Sequence, residues 1–312
     1  MISTGIIVIT GPTATGKSEL GVRLAEAIDG EIVSADSMQI YKYMDIGTAK
    51  PTKEEMRRVP HYLIDFIPPF ENYSVARYVD DASKCIDDIA SRGKIPVIAG
   101  GSGLYIDSLL RGREFSARGD DDLRKKLEDE YDDIGGEEML ARLREFDEIS
   151  AGKLFANDKK RIVRAMETFT ATGKTISQHD SETKSLPLKY NATVIALNFS
   201  QRTVLYDRIN RRVDEMISKG LVNEVHSLLD MGVPRSSTAM QAIGYKEISA
   251  TLDGNTDMGA AIEKIKMESR RYAKRQLTWL RRNTEVNWIT WDTEPDFNNG
   301  VRMVTEILNE TK

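Results

Sequence analysis

Residues 6–28 read IIVITGPTATGKSELGVRLAEAI and carry three consecutive signals. The first five residues are apolar or β-branched and predict a buried strand. Gly11 to Ser18 match the pattern GxxxxGK[ST], and the last eleven residues space their apolar side chains as an amphipathic helix does. Strand, glycine-rich turn and helix in this order form a phosphate-binding loop, with backbone N–H groups and the Lys17 ammonium directed at phosphate oxygens.

Further along the chain, short apolar runs alternate with amphipathic stretches. We expect buried strands at residues 31–35, 61–66, 95–100, 193–199 and 286–291. We expect helices at residues 74–91, 201–218, 220–231 and 257–282, and a last helix at the C-terminal end. This alternation predicts an α/β fold with a parallel sheet flanked by helices, similar to that of phosphate-loop NTPases.

A mostly helical insertion is expected within this core. After Arg111 the sequence becomes acidic and helix-forming, and residues 114–149 contain 14 Asp and Glu against 6 Lys and Arg. We therefore divide the chain into a catalytic core (residues 1–113 and 191–312) and a helical insertion (residues 114–190). The favoured interpretation of the acidic stretch is a solvated helical surface.

Composition excludes several classes of protein. The 312 residues are 40% hydrophobic and 30% charged, which excludes disorder and fibres. The net charge of -5 argues against a protein that coats nucleic acid generally, but residues 114–149 alone carry -8, so the remainder carries +3 and a basic face is possible. One cysteine and three scattered histidines match neither a disulfide nor a zinc site. Without a long apolar run or a basic leader, we expect a cytoplasmic protein with no membrane partner.

An acidic residue follows the second predicted strand. Asp36 stands in the stretch SADSMQIYK, two residues after Ser34. A carboxylate at the carboxyl end of a strand beside a phosphate loop can act as a general base or hold a metal ion. The alternative is a purely structural cap of the following turn or helix.

Motifs along nearly the whole chain indicate which family the sequence resembles. They are GPTATGKS, SADSMQIYK, MDIGTAKP, PHYLIDF, the block that begins at Tyr73, IPVIAGGSGLYI, KKRIVRAMETF with TGK, QAIGYKE and RYAKRQLTWLRR. In this order and spacing the chain resembles the tRNA dimethylallyltransferase family, whose members are also called tRNA isopentenyltransferases. The resemblance implies transfer of a dimethylallyl group from dimethylallyl diphosphate to N6 of the adenosine on the 3′ side of the anticodon, with release of diphosphate.

The resemblance also implies roles for individual residues. Asp36 would be the general base, and Ser102 would place a hydroxyl near the target adenosine. Lys17 would stabilise the leaving diphosphate together with Mg²⁺ bound by Ser18. The expected diphosphate-binding residues are Gly11, Pro12, Thr13, Ala14, Thr15, Gly16, Lys17, Ser18 and Arg208.

The second implied partner is the anticodon stem-loop of tRNA. The contacts carried over from the family are Asp36, Ser37, Met38, Gln39, Ser102, Lys160, Arg161, Ile162, Val163, Arg164, Gln241, Gly244, Lys274, Arg275 and Gln276. Residues 270–282 contain six Lys or Arg, which fits contacts to phosphates, although a solvated charged helix is the alternative without the family. Since every part of the site lies in one chain, we expect a monomer.

The sequence departs from the family pattern at three positions. Ser18 and Ser102 stand where threonine is more common, and both keep the hydroxyl group. Tyr43 stands where glycine is expected, which puts a local turn in doubt.

Three other functions share part of the pattern. A small-molecule kinase would use the same phosphate loop and Asp36, but it gives no reason for the basic residues at 159–164 and 270–282. An adenylate isopentenyltransferase would lack the insertion. An RNA-binding module switched by a nucleotide would need no carboxylate placed for proton abstraction.

Overall fold

The computed structural model describes residues 5–112, 121–185, 187–254 and 257–310. The chain divides into two compact units, of which unit 1 comprises Met1–Leu110 with Lys189–Lys312 and unit 2 comprises Arg111–Leu188. The boundary that we expected between residues 113 and 114 lies outside the described residues.

Unit 1 contains one parallel sheet. Among its described residues the strands are β1 (Gly5–Thr10), β2 (Gly30–Ser34), β3 (His61–Tyr62), β4 (Ile95–Ala99), β5 (Asn191–Phe199) and β6 (Asn287–Trp291). Their order is β3-β2-β4-β1-β5-β6. In the centre of the sheet, Ile7 of β1 pairs with Val97 of β4 on one side and with Thr193 of β5 on the other. The carboxyl ends of all these strands lie at one edge, where ligands of open α/β sheets bind.

Helices cover this sheet. In unit 1 they are α1 (Lys17–Ala27), α2 (Lys53–Arg58), α3 (Val75–Ser91) and α4 (Gly103–Leu110) before unit 2, and α10 (Arg202–Ser218), α11 (Leu221–Asp230), α12 (Tyr245–Leu252), α13 (Met258–Leu280) and α14 (Phe297–Glu310) after it. One hydrophobic core contains Ile9 of β1, Leu20 and Leu24 of α1, and Leu205 and Ile209 of α10. Burial of these apolar side chains is the main stabilising contribution of the sheet and its helices.

The strand expected at residues 61–66 is wrong beyond Tyr62. Leu63 and Asp65 have φ values of +60° and +58°, a left-handed conformation that interrupts a strand. The Asp65 carboxylate instead forms a 2.7 Å ion pair with Lys50. The chain therefore leaves the edge of the sheet after two residues.

In its described part, unit 2 contains helices and no strands. Its helices are α5 (Asp121–Ile134), α6 (Gly136–Phe146), α7 (Glu148–Ala151), α8 (Lys159–Thr172) and α9 (Ile176–Ser185). It has its own core, in which Met139, Leu143 and Ile162 are fully buried. Part of its acidic surface is paired within the unit, as in the 2.6 Å ion pair between Lys159 and Asp132. None of the described helices of either unit combines the length and apolar character needed to span a bilayer.

Candidate active site

The phosphate loop joins β1 to α1 in a conformation that its glycines permit. Gly16 precedes α1 with a φ of +88°. A Cβ atom on Gly11, whose φ is +142°, would lie 2.6 Å from the carbonyl oxygen of Leu197. Both positions therefore require glycine, one for its backbone angle and the other also for its contact with β5.

Lys17 is the first residue of α1, and its side chain turns back over the loop. Its Nζ donates a 2.7 Å hydrogen bond to the carbonyl oxygen of Pro12. Burial, followed by the neighbouring positive charge of Arg212, lowers the pKa of Lys17 from 10.5 to about 7, and Asp36 opposes this shift. The lysine therefore lies where a negatively charged ligand would stabilise its ammonium form.

Asp36 follows β2 and is held by the turn after it. Its Oδ1 accepts hydrogen bonds from the backbone N–H groups of Met38 (2.9 Å) and Gln39 (3.3 Å). The structural role of Asp36 as a cap of this turn thus involves Oδ1, one of its two carboxylate oxygen atoms. The carboxylate also lines both cavities described below, so the cap fixes its position without excluding a chemical role.

The loop after β4 packs closely on the loop after β2. A Cβ atom on Gly100 would lie 2.2 Å from the carbonyl oxygen of Ala35. This approach brings Ser102, which is buried, next to Ser37. The Ser102 hydroxyl accepts a 2.9 Å hydrogen bond from the Ser37 backbone N–H and lies 3.2 Å from the Ser37 hydroxyl. Ser102 thus supports a residue of the cavity wall.

Two cavities meet at this edge of the sheet. The loop cavity, of about 270 Å³, is lined by the phosphate loop and polar residues that include Lys17, Ser18 and Gln39. The apolar cavity, of about 480 Å³, has a wall that includes Val213, Met216 and Ile265. Both are bordered by Thr13, Asp36, Thr48, Arg212 and Tyr272. A polar and a largely apolar compartment therefore share a wall that contains a carboxylate.

One wall of these cavities is the segment 44–50, which is tied down by a carboxylate. Glu224 of α11 accepts hydrogen bonds from the backbone N–H groups of Asp45, Ile46 and Gly47, at 2.8, 2.8 and 3.0 Å. The side chain of Gln39 donates to the carbonyl oxygen of Thr48 at 3.2 Å. The segment is thereby fixed from both sides.

The two arginines of α10 near the loop differ in their partners. Arg208, which we expected to bind diphosphate, donates a 3.2 Å hydrogen bond to the carbonyl oxygen of Ala14 and forms an ion pair with Glu294. Arg212, four residues later, forms no salt bridge among the described residues and lines both cavities. Burial lowers the pKa of Arg212, an effect that Asp36 opposes. Sequence reasoning missed Arg212, although the spacing of four residues places it on the same helical face as Arg208.

Helix α13 presents one face to the site and another to solvent. Tyr272 and Gln276 are one turn apart, and both line the loop cavity. Burial, with a smaller effect of Asp36, raises the pKa of Tyr272 to about 12. Lys274 and Arg275 are exposed, and the Arg275 guanidinium lies 5.7 Å from the centre of the Tyr272 ring. The charged helix is therefore both a wall of the cavity and a basic surface.

The remaining residues expected to contact tRNA lie in different surroundings. Gln241 and Gly244 line the apolar cavity. In unit 2, Lys160 and Arg161 are exposed at the start of α8, whereas Ile162 and Val163 belong to the core of that unit. Arg164 forms a 2.9 Å ion pair with the buried Glu167. Of these residues of unit 2, the exposed Lys160 and Arg161 therefore offer side chains to a partner, whereas Ile162 and Val163 do not.

The turn at Tyr43 is present despite the missing glycine. Tyr43 is exposed and has a φ of +66°, a conformation that favours glycine. The sequence departure therefore leaves the turn in place with a strained tyrosine.

A divalent metal ion at this site would have to be held mainly by oxygen atoms of the bound substrate. Among the described residues, no three His, Cys, Asp or Glu side chains gather in a way that could hold a metal ion. Mg²⁺ commonly keeps several waters and uses one or two protein oxygens together with substrate phosphates. Ser18 lies on the wall of the loop cavity beside Lys17 and Asp36, so these residues fit an ion that binds together with a diphosphate.

Comparisons with known proteins show which family this chain belongs to. The family model described as IPP transferase matches residues 39–283. The chain belongs to the IPP transferase family. A second model, described as isopentenyl transferase, matches residues 4–70, which include the phosphate loop. Family membership confirms the expected resemblance and the prenyltransferase class.

Members of the IPP transferase family are similar over almost their whole length. A tRNA dimethylallyltransferase of Acetivibrio thermocellus is 50% identical over 92% of each chain. The crystal structure of tRNA Δ(2)-isopentenylpyrophosphate transferase from Staphylococcus epidermidis is 40% identical, with a TM-score of 0.73 over 99% of this chain and 100% of that one. A eukaryotic dimethylallyltransferase acting on tRNA is 26% identical, with a TM-score of 0.79 over 99% of this chain and 80% of that one. These structures confirm the phosphate-loop NTPase-like fold.

Proposed function

We propose that this member of the IPP transferase family transfers a dimethylallyl group from dimethylallyl diphosphate to N6 of the adenosine on the 3′ side of the anticodon in tRNA. The observation that carries the proposal is the position of Asp36 on the wall shared by two cavities. Lys17 and Arg212, two cations without salt-bridge partners among the described residues, lie around the polar side of that wall. The other cavity offers an apolar surface for a prenyl chain and a base.

The proposed reaction is a substitution at the allylic carbon. The N6 nitrogen forms a bond to C1 of the dimethylallyl group while the bond from C1 to the diphosphate oxygen breaks. Asp36 accepts the proton that N6 loses, and the electron pair of the broken bond leaves with diphosphate. Because Met38 and Gln39 hold Oδ1, the second oxygen of the Asp36 carboxylate is the proton acceptor.

The loop cavity receives the leaving diphosphate. Lys17, Arg212 and the loop N–H groups stabilise the negative charge that develops on it. Mg²⁺ bound with Ser18 and diphosphate would supply further positive charge. Arg208 contributes indirectly, because it donates a hydrogen bond to the carbonyl oxygen of Ala14 in the loop. The loop, Lys17 and Arg212 are therefore assigned to diphosphate, and Arg208 is assigned to the support of the loop.

The apolar cavity receives the acceptor base. An adenine that reacts at N6 has to leave the anticodon-loop stack, which costs a few kcal/mol. Val213, Met216 and Tyr272 line a compartment of about 480 Å³ that can bury a base and a prenyl group together. Exclusion of water there would suppress hydrolysis of the donor.

The basic surfaces hold the rest of the tRNA. Lys274 and Arg275 on α13, and Lys160 and Arg161 on α8, are exposed and would contact phosphates. The segment from Asp36 to Gln39, with Gln241 and Gly244, would contact the target nucleotide at the cavity. Every residue named here belongs to one chain, so the proposal requires no second copy.

Transfer of labelled dimethylallyl diphosphate tests this proposal. The protein is incubated with Mg²⁺ and unmodified tRNA, beside reactions with AMP as acceptor and with labelled ATP as donor. Label in tRNA alone is expected. Label in AMP would identify an adenylate isopentenyltransferase, and transfer only from ATP would identify a kinase.

A further inference from the structure

The phosphate loop is held by two side chains from the last part of the chain. The Thr13 backbone N–H donates a 3.0 Å hydrogen bond to Oε1 of Gln276 on α13. The indole Nε1 of Trp291, the last residue of β6, donates a 3.0 Å hydrogen bond to the carbonyl oxygen of Thr15. Neither bond is implied by the loop motif.

Gln276 links the phosphate loop to the loop after β4. Its Nε2 donates a 2.9 Å hydrogen bond to the carbonyl oxygen of Gly101. A Cβ atom on Gly101 would lie 2.3 Å from this nitrogen, so glycine permits the approach. Because Thr13 N–H can only donate and the Gly101 carbonyl can only accept, the two bonds fix the orientation of the amide. The side chain is only 7% exposed, so its amide is directed at the protein.

Trp291 holds the opposite side of the loop. It is 4% exposed, and its ring meets Phe297 edge to face at 6.2 Å between centres. A Cβ atom on Gly16 would lie 2.8 Å from the Phe297 ring, so this aromatic pair closes over the end of the loop. Trp291 and Phe297 lie beyond residues 39–283, which the IPP transferase model matches.

Between these two anchors lies a strained residue. Ala14 has a φ of +67°, which costs an L-residue about 1–2 kcal/mol. Backbone strain of this kind persists where the surrounding structure imposes it. The N–H before Ala14 and the carbonyl after it are the two groups bound by Gln276 and Trp291.

We propose that Gln276 and Trp291 are positioning residues that clamp the phosphate loop in its diphosphate-binding conformation. This inference rests on the proposed function, since it assigns diphosphate to the loop. It places Gln276 behind the loop as a support and not on the tRNA surface.

Two variants of the full chain test the clamp, with inorganic diphosphate and Mg²⁺ as the probe. Gln276→Leu removes both amide hydrogen bonds at similar size, and Trp291→Phe keeps an aromatic ring but removes its N–H. Each is expected to weaken diphosphate binding in calorimetry roughly 10-fold, the effect of losing a buried hydrogen-bond partner. The KM for dimethylallyl diphosphate should rise in parallel, while the affinity for unmodified tRNA stays within about twofold.

Matched controls lie on the same two elements. Trp288→Phe changes another tryptophan of β6, which packs on the core and whose indole forms no hydrogen bond to the loop among the described residues. Thr278→Ala changes an exposed residue of α13. Both should bind diphosphate as the wild type does.

Several outcomes would overturn the clamp. Unchanged diphosphate binding in both variants would do so, as would loss of tRNA affinity in Gln276→Leu with diphosphate binding intact. If the wild-type chain binds no diphosphate, the proposed function fails together with the clamp. If the wild type binds diphosphate and both variants bind it equally well, only the clamp fails.

If Gln276→Leu does not fold, Gln276→Glu replaces it. The introduced carboxylate can accept from the Thr13 N–H but cannot donate to Gly101 until it is protonated. Diphosphate affinity relative to the wild type should therefore recover as the pH falls. No recovery would contradict the clamp.

Discussion

Lys17 donates its 2.7 Å hydrogen bond to the carbonyl oxygen of Pro12, inside its own loop, and has no carboxylate partner among the described residues. With its pKa lowered to about 7, a large fraction of Lys17 is neutral at and above neutral pH. A bound diphosphate would restore the positive charge.

Diphosphate binding should therefore take up protons. At pH 8 the free lysine is mostly neutral and becomes protonated when diphosphate raises its pKa, so uptake approaching one proton is expected from this group. Calorimetry in buffers of different ionisation enthalpy measures it. In Lys17→Arg the guanidinium is always charged, so this contribution should vanish. Equal uptake in both proteins would show that Lys17 is charged before the ligand binds.

The same lysine should affect stability in the absence of ligand. Its folded-state pKa of about 7 lies below the ordinary 10.5, so the unfolded chain binds more protons between these values. The free energy of unfolding therefore rises with pH across this window. Lys17→Met removes that contribution and should be more stable than the wild type near pH 7, with the difference shrinking toward pH 10. Urea unfolding at several pH values measures both curves, and a constant difference would contradict the lowered pKa.

Asp36→Asn separates the two roles of this residue. The asparagine Oδ1 can still accept from Met38 and Gln39, so the turn should persist, but the side chain can no longer take a proton. Single-turnover prenyl transfer should fall about 10²–10⁴-fold, the usual worth of a general base. Binding of tRNA and of diphosphate should change little.

Asp36→Ala is the companion variant. It removes both the base and the cap, so a larger loss of tRNA affinity than in Asp36→Asn would reveal the contribution of the turn. Transfer by Asp36→Asn at the wild-type rate would exclude Asp36 as the base.

The elements that sequence reasoning identified are those with a local cause. The phosphate loop, β1, β5 and α13 follow from apolar spacing and glycine positions that neighbouring residues determine. The strand expected through Phe66 failed because the left-handed residues Leu63 and Asp65 leave no trace in the hydrophobic pattern.

The part of the site that lies in local motifs was predictable from the sequence, and the long-range contacts of the site were not. Asp36 and Lys17 lie in recognisable motifs, and family resemblance added roles to them. Gln276 appeared in the sequence as part of a basic helix, yet its amide is used by Thr13 and Gly101, both far away along the chain. Such pairings arise only when the tertiary structure forms, so no local pattern signals them.

Replacing Tyr43 by glycine should stabilise the protein. The left-handed φ of +66° costs a tyrosine about 1–2 kcal/mol. Glycine removes this cost, but the greater flexibility of glycine in the unfolded chain offsets roughly 0.5–1 kcal/mol of the gain. The side chain is 57% exposed, so little apolar burial is lost. We expect a net gain of about 0.5–1 kcal/mol in urea unfolding. Tyr43→Ala retains a Cβ atom and should show no such gain, and equal stabilities of the two variants would contradict the strain.

The basic face of α13 can be tested through salt dependence. Replacing Lys274 and Arg275 by alanine removes two exposed cations, and each lost phosphate contact lowers the slope of log affinity against log salt by about 0.7–0.9. Filter binding of unmodified tRNA over a salt series should therefore give weaker binding and a shallower slope. Lys84→Ala with Arg302→Ala removes the same charge from α3 and α14, where both side chains are largely exposed. That control should keep the wild-type slope, because a loss of net charge alone changes long-range attraction without removing a phosphate contact. An equal reduction in both double variants would mean that overall charge, and not this face of α13, determines the binding of tRNA.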